Sequence, residues 1–155
     1  MTQERAEELL ELLTSQDNSQ AHRALKVLER ISDESNCLYP RMDRFIEMER
    51  SGNSYIRTRG LVLMACNAKW DVDGKIDRII DRYLEHVTDE RPICARQCIK
   101  LLPLIAEAKP AFASKIVSAL RDANVARYAD SMRPLVQKDI RDSLLAIEGQ
   151  SEIWA

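Results

Sequence analysis

The sequence predicts an all-α chain of four stacked antiparallel helix pairs, and three observations predict it. First, nine Gly and Pro in 155 residues, with 5% aromatics, are too few for the frequent turns of an all-β fold. Second, apolar residues recur at helical spacing in eight segments separated by short runs of Asn, Asp, Ser, Gly and Pro. Third, Arg23, Arg59, Arg96 and Arg133 fall 36, 37 and 37 residues apart, each near the start of the second helix of a pair.

The first pair is expected at about 3–14, with Leu9, Leu12 and Leu13 inward, and 19–32, with Ala21, Leu25, Leu28 and Ile31 inward. Between them, the polar run at 17–19 supplies side-chain oxygens for an N-cap. The second pair joins about 39–50 (Met42, Phe45, Ile46) to 54–68 (Ile56, Leu61, Leu63, Met64) through Ser51, Gly52 and Asn53. Pro40 belongs to a first turn, where its missing N–H costs nothing. The third runs over about 73–87 (Ile76, Ile79, Ile80, Tyr83, Leu84, Val87) and 91–107 (Cys94, Cys98, Leu101, Leu102, Ile105). Pro92 opens its second helix, and Pro103, inside the pattern, is expected to kink it. The fourth covers about 110–121 (Phe112, Ile116, Val117, Leu120) and 131–148 (Leu135, Ile140, Leu144, Ile147), with Gly149 as the C-terminal stop.

A helix pair of this kind cannot bury both faces of its second helix alone, so neighbouring pairs must stack around a shared core, as in a short right-handed α-solenoid. One domain is expected over 1–149, with repeats at about 1–34, 35–70, 71–109 and 110–149 and a tail at 150–155. Lys138 falls where Leu28, Met64 and Leu101 predict an apolar residue, so the fourth repeat reads as a divergent cap. Ile153 and Trp154 in the tail are expected to cover the open end of the core.

The stretch 53–65, N-S-Y-I-R-T-R-G-L-V-L-M-A, resembles the second helix of a HEAT/armadillo-like repeat: a polar cap, an aliphatic-Arg step and an Ala/Leu run. The likeness spans nearly the whole chain, with departures at Cys94, Gln97 and Lys138. It implies that second helices line an inner, concave surface on which the Arg row forms a stripe. On that reading Arg23, Tyr55, Arg59, Arg96, Lys100 and Arg133 are the candidate partner-binding residues. The competing reading is also implied by the resemblance: such an Arg bonds an Asp or Asn of the adjacent repeat, with Asp17, Asn53 and Asp89 placed to receive it.

Charge bears on the partner. Arg outnumbers Lys 16 to 7, which suits bidentate contact with carboxylates, so a protein or peptide partner with acidic groups is expected. Residues 35–70 carry 6 basic and 3 acidic side chains, and no other repeat has a basic excess. A reader of nucleic acid, as in the related DNA-alkylation-repeat solenoids, would need a broad basic track, which this distribution argues against. A lyase-type HEAT-like enzyme would need a deep pocket with perturbed titrating groups. No nucleophile motif or phosphate-binding loop occurs, and His22 and His86 fall in different pairs, so no catalytic role is assigned.

No cofactor or metal is expected. Asp71 to Arg82 lacks the calcium-loop ligands at the fifth and twelfth positions, where Lys75 and Arg82 stand. The row Asp73, Asp77, Asp81 and Glu85 reads as a solvated outer face beside Lys75, Arg78, Arg82 and His86. Cys66, Cys94 and Cys98 are offset along their helices and should pack as small hydrophobes rather than converge on zinc. The charged start and the lack of a long apolar run predict a cytoplasmic chain without a membrane span. The charged non-catalytic helix pairs read together as a small adaptor or scaffold.

Overall fold

The computed structural model describes the backbone of residues 1–154 and the side chains of residues 1–150. It is all-helical, with eight α-helices and no strand among the described residues. The expected role of Ile153 and Trp154 lies outside the described side chains. The chain divides into two compact units, 1–73 and 74–155, each containing two of the expected pairs.

In the first unit, α1 (Gln3–Leu12) starts at Thr2, whose hydroxyl accepts the Arg5 N–H. Asp17 caps α2 (Asn18–Glu34) by accepting the N–H groups of Ser19 and Gln20, as the polar run at 17–19 predicts. After a 3-10 turn at Tyr39–Arg41, which contains Pro40, comes α3 (Met42–Glu49). Asn53 then caps α4 (Ser54–Cys66), accepting from Tyr55 and Ile56.

Helix α4 is the centre of this unit, with Arg57 and every residue from Arg59 to Ala65 buried. It packs on both α3 and α2. A helix enclosed on all sides must approach its neighbours closely, and Gly60 permits it. A Cβ at Gly60 would lie 2.6 Å from the Glu49 nitrogen and 2.7 Å from the Phe45 oxygen, both backbone atoms that cannot yield cheaply. The core around it is Leu9, Leu13, Leu28, Phe45, Leu61 and Met64.

Polar bonds bind one pair to the next within the unit. Asn67 donates to the Ser32 hydroxyl, Trp70 Nε1 to the Ser32 carbonyl at 2.7 Å, and Lys69 to Asp33. Buried Tyr39 donates to Asp71 at 2.6 Å. Burial first, and this bond second, hold the Tyr39 phenol well above its ordinary pKa.

In the second unit, Gly74 takes the left-handed conformation (φ 67°) just before α5 (Lys75–Glu85). A 3-10 turn at His86–Thr88 leads to α6 (Pro92–Ala108), with Pro92 at its first position as expected. Then follow a 3-10 turn at Pro110–Phe112, α7 (Ala113–Arg121), a connection containing buried Tyr128, and α8 (Arg133–Trp154). Here α6 is the central element, packed on α7 and most extensively on α8. Asp73, Asp77, Asp81 and Glu85 are exposed, as the outer-face reading requires, and Asp77 and Asp81 pair with Lys109 and Lys115.

Pro103 sits inside α6, which continues through it. Proline has no N–H to give the carbonyl four residues earlier, that of Ile99, which is buried. The Ser143 hydroxyl of α8 donates to that carbonyl at 2.8 Å. Gln150 of α8 donates to the Pro103 carbonyl, also at 2.8 Å. The backbone irregularity is thus satisfied by a neighbouring helix.

Two expectations for the fourth pair are corrected. Gly149 does not stop the helix, since α8 continues to Trp154; a glycine ends a helix when the chain turns left-handed there, and only Gly74 has positive φ among the described residues. Leu135 is 40% exposed rather than inward, and the buried stripe is Val136, Asp139, Ser143 and Ile147. Of the expected inward set Ile147 alone is buried, Ile140 and Leu144 are half-buried, Lys138 is exposed, and two of the four inward positions are polar. Both polar positions serve α6, Ser143 at Ile99 and Asp139 at Arg96.

Two measurements test these assignments. Gly60→Ala should lower stability by roughly 1–3 kcal/mol through overpacking, whereas Gly149→Ala, with open space at its Cβ, should raise it by about 0.5–1 kcal/mol. Ser143→Ala should cost about 1–3 kcal/mol in denaturant titrations, and most of that cost should disappear in a Pro103→Ala background, where residue 103 regains the N–H that bonds Ile99.

Candidate functional site

In the first unit an open groove of about 660 Å³ runs between the end of α1, helix α3 and the start of α4. Leu10, Leu13, Phe45, Met48 and Ile56 form its apolar lining. These residues follow from amphipathic spacing: Leu10 and Leu13 leave the last turn of α1, Phe45 and Met48 lie on one side of α3, and Ile56 stands in the first turn of α4. Arg44, Glu47 and Arg50 supply charge at its edge.

The two arginines differ. Arg44 donates to both oxygens of Glu7 on α1, at 3.0 and 2.8 Å, and Arg41 also bonds this carboxylate. The Arg44 bond above all, with Arg41 adding to it, holds the Glu7 carboxyl below its usual pKa. Arg50 is exposed and forms no ion pair among the described residues.

Arg59 stands behind the groove. It is buried; Nη1 donates to the Leu13 carbonyl at 2.8 Å and Nη2 to Asn18 Oδ1 at 3.0 Å. Leu13 lies at the end of α1, where helix carbonyls lack intrahelical partners, and it also lines the groove. Arg59 therefore fixes one wall of the cavity from inside. The exposed Tyr55 ring lies over this guanidinium, 6.0 Å from centroid to Cζ. Burial pulls the Arg59 pKa below its ordinary value, with Tyr55 opposing, and at neutral pH it stays charged.

The other members of the Arg row have different surroundings. Arg23 is exposed and lines a smaller cleft of about 320 Å³ with Arg5, Leu9 and Leu12. Arg96 donates to buried Asp139 at 2.6 Å, a bond that raises its pKa further, and Lys100 reaches the same carboxylate at 4.0 Å. Arg133 pairs with Asp130 and donates to the Tyr128 carbonyl. Within each unit, then, the structure joins Tyr55 to Arg59, and Arg96 to Lys100 through Asp139.

The acceptors differ from those named by the resemblance. Asp17 and Asn53 are occupied as helix caps, and Arg59 bonds Asn18 and the Leu13 carbonyl instead. Asp139 is the carboxylate that Arg96 reaches.

Cys94 and Cys98 are buried in α6, in keeping with core packing, while Cys66 is partly buried and Cys37 exposed. Burial, helped by Glu29 and Asp33, pushes the Cys66 thiol up to about 11, so it remains protonated at neutral pH. One polar cluster has no counterpart in the sequence reading. His86 Nδ1 lies 2.8 Å from Asp89 Oδ2, and ligand atoms of His86, Asp89 and Cys94 all lie within 4.8 Å of one another. The spacing H-x2-D-x4-C could have pointed to it, because those nine residues span one helix end, a turn and the next helix start.

No protein family, curated protein or solved structure matches the chain. Among the described residues, no helix is long and apolar enough to cross a membrane.

Arg59→Ala should lower unfolding free energy by roughly 1–3 kcal/mol, because the Leu13 carbonyl loses its buried donor. Arg23→Ala, at an exposed position, should change it by less than about 0.5 kcal/mol. Equal effects in chemical denaturation would refute the structural role of Arg59.

Proposed function

We propose that the chain is a non-catalytic protein-interaction module, a small HEAT/armadillo-like adaptor whose groove takes a peptide segment bearing an apolar anchor beside carboxylates. The observation that carries this reading is the 660 Å³ groove, with its apolar lining and, at its edge, the exposed Arg50, which has no ion pair among the described residues. An apolar side chain seated on Met48 and Ile56, the half-buried members of the lining, would leave water, and a neighbouring Asp or Glu would meet a guanidinium suited to bidentate contact. The basic excess of residues 35–70 works in the same direction.

The repeat reading has support inside each unit. Second helices pack on second helices, α2 on α4 and α6 on α8, as stacking of helix pairs requires. Arg59 and Arg96 each serve that contact, which favours the ladder role for these two. Binding in the groove therefore rests on Arg50 and the apolar lining, with Tyr55 beside the buried Arg59.

The experiment is selection from a random peptide display library, followed by affinity measurement on the enriched peptides. The expected peptides carry an aliphatic or aromatic residue next to Asp or Glu. Arg50→Glu should weaken their binding about tenfold or more, equivalent to at least ~1.4 kcal/mol, with an unchanged melting temperature. Failure to enrich any peptide, or equal binding by the Arg50→Glu protein, would refute the proposal.

A further inference from the structure

We propose that His86, Asp89 and Cys94 form a binding site for a zinc-type divalent ion, with the fourth coordination position taken by water. The second unit brings these three side chains together from the 3-10 turn after α5, the following loop and the third residue of α6. Their ligand atoms lie within 4.8 Å of one another. A tetrahedral ion with bonds of about 2.0–2.3 Å holds its ligands roughly 3.3–3.6 Å apart. Closing on an ion therefore requires shifts of about 1 Å, including a slight widening of the 2.8 Å His86–Asp89 contact.

Donor chemistry selects the ion. One imidazole, one carboxylate and one thiolate are a mixed nitrogen, oxygen and sulfur set, which suits zinc and disfavours the all-oxygen preferences of calcium and magnesium. Charge balances as well: the carboxylate and the thiolate together cancel a divalent cation, so the buried site is neutral when filled. Asp89 and Cys94 are buried, and the His86 side chain keeps 14% of its surface exposed, which gives the ion and its water a way in. On binding, the Cys94 S–H bond breaks and its proton passes to solvent as the sulfur–metal bond forms, while the proton between His86 Nδ1 and Asp89 Oδ2 leaves that contact for the other ring nitrogen or for solvent, so that the metal-binding ring nitrogen presents its lone pair.

Surrounding bonds hold the ligands in place, as functional metal sites require. Asp89 Oδ1 accepts the Arg91 N–H at 2.9 Å, which orients the carboxylate. The Tyr128 hydroxyl, from the loop before α8, donates to the Asp89 carbonyl at 2.6 Å.

Cobalt titration of the full chain tests the proposal, in a Cys37→Ser background that removes the exposed thiol. The expected result is a thiolate-to-cobalt charge-transfer band saturating at one equivalent, displaced by zinc, and a melting temperature that rises with added zinc. Cys94→Ala should abolish the band, and His86→Asn, at a partly exposed position, should weaken binding tenfold or more while the fold persists. Absence of the band in the parent protein would overturn the site. So would an unchanged band in Cys94→Ala or, should that variant fail to fold, undiminished affinity in His86→Asn.

Discussion

A helix enclosed by its own unit cannot send its polar groups to water, and this constraint governs both halves of the chain. Helices α4 and α6 are the most buried ones, and Arg59 and Arg96 along them each find a partner in a neighbouring element. Arg59 reaches the end of α1 and the start of α2, Asn67 after α4 reaches Ser32, and Arg96 reaches Asp139. Each bond spans more than thirty residues of sequence, so it holds one helix pair against the next rather than stabilising a single helix. Such bonds are worth modest net energy when made and considerably more when broken, which makes the contact between pairs specific.

The same constraint shapes the groove. Its apolar lining would close up if α1 moved toward α3, and the Glu7 links to Arg41 and Arg44 tie these helices to each other by charge. On the opposite side Arg59 holds the Leu13 carbonyl. A preformed cleft loses less entropy on receiving a ligand than one that must be assembled. The residue that gives the cavity its shape is thus distinct from Arg50, which is exposed at its edge and forms no ion pair among the described residues.

Much of the helix pattern was legible because it is local. The caps at Asp17 and Asn53 and the first-turn Pro92 depend on a few neighbouring residues, and amphipathic spacing identified Leu28, Phe45, Leu61 and Ile99's neighbour Leu102 as core. The fourth pair was harder to read because its inward face is partly polar. Asp139 and Ser143 break the apolar stripe that sets register, so Leu135 stood in for Val136. Gly149 was misread because a glycine's freedom does not oblige the chain to turn. The groove was illegible for a different reason: it depends on three helices meeting at an angle that no spacing encodes. Basic excess in residues 35–70 falls on the same stretch that supplies Arg44 and Arg50 to the groove edge. The His86, Asp89 and Cys94 cluster has a local spacing, but its convergence depends on the turn between α5 and α6.

The proline in α6 also bears on how the second unit comes to exist. Until α8 arrives, the Ile99 carbonyl has no donor in its own helix and sits in an environment losing its water. Isolated, the α6 segment would therefore gain from staying hydrated or unwound near that point. Docking of α8 supplies the missing proton donor and the apolar cover in one event. The two helices are in this sense a single cooperative piece, and a chain ending before residue 143 would leave the first of them unfinished.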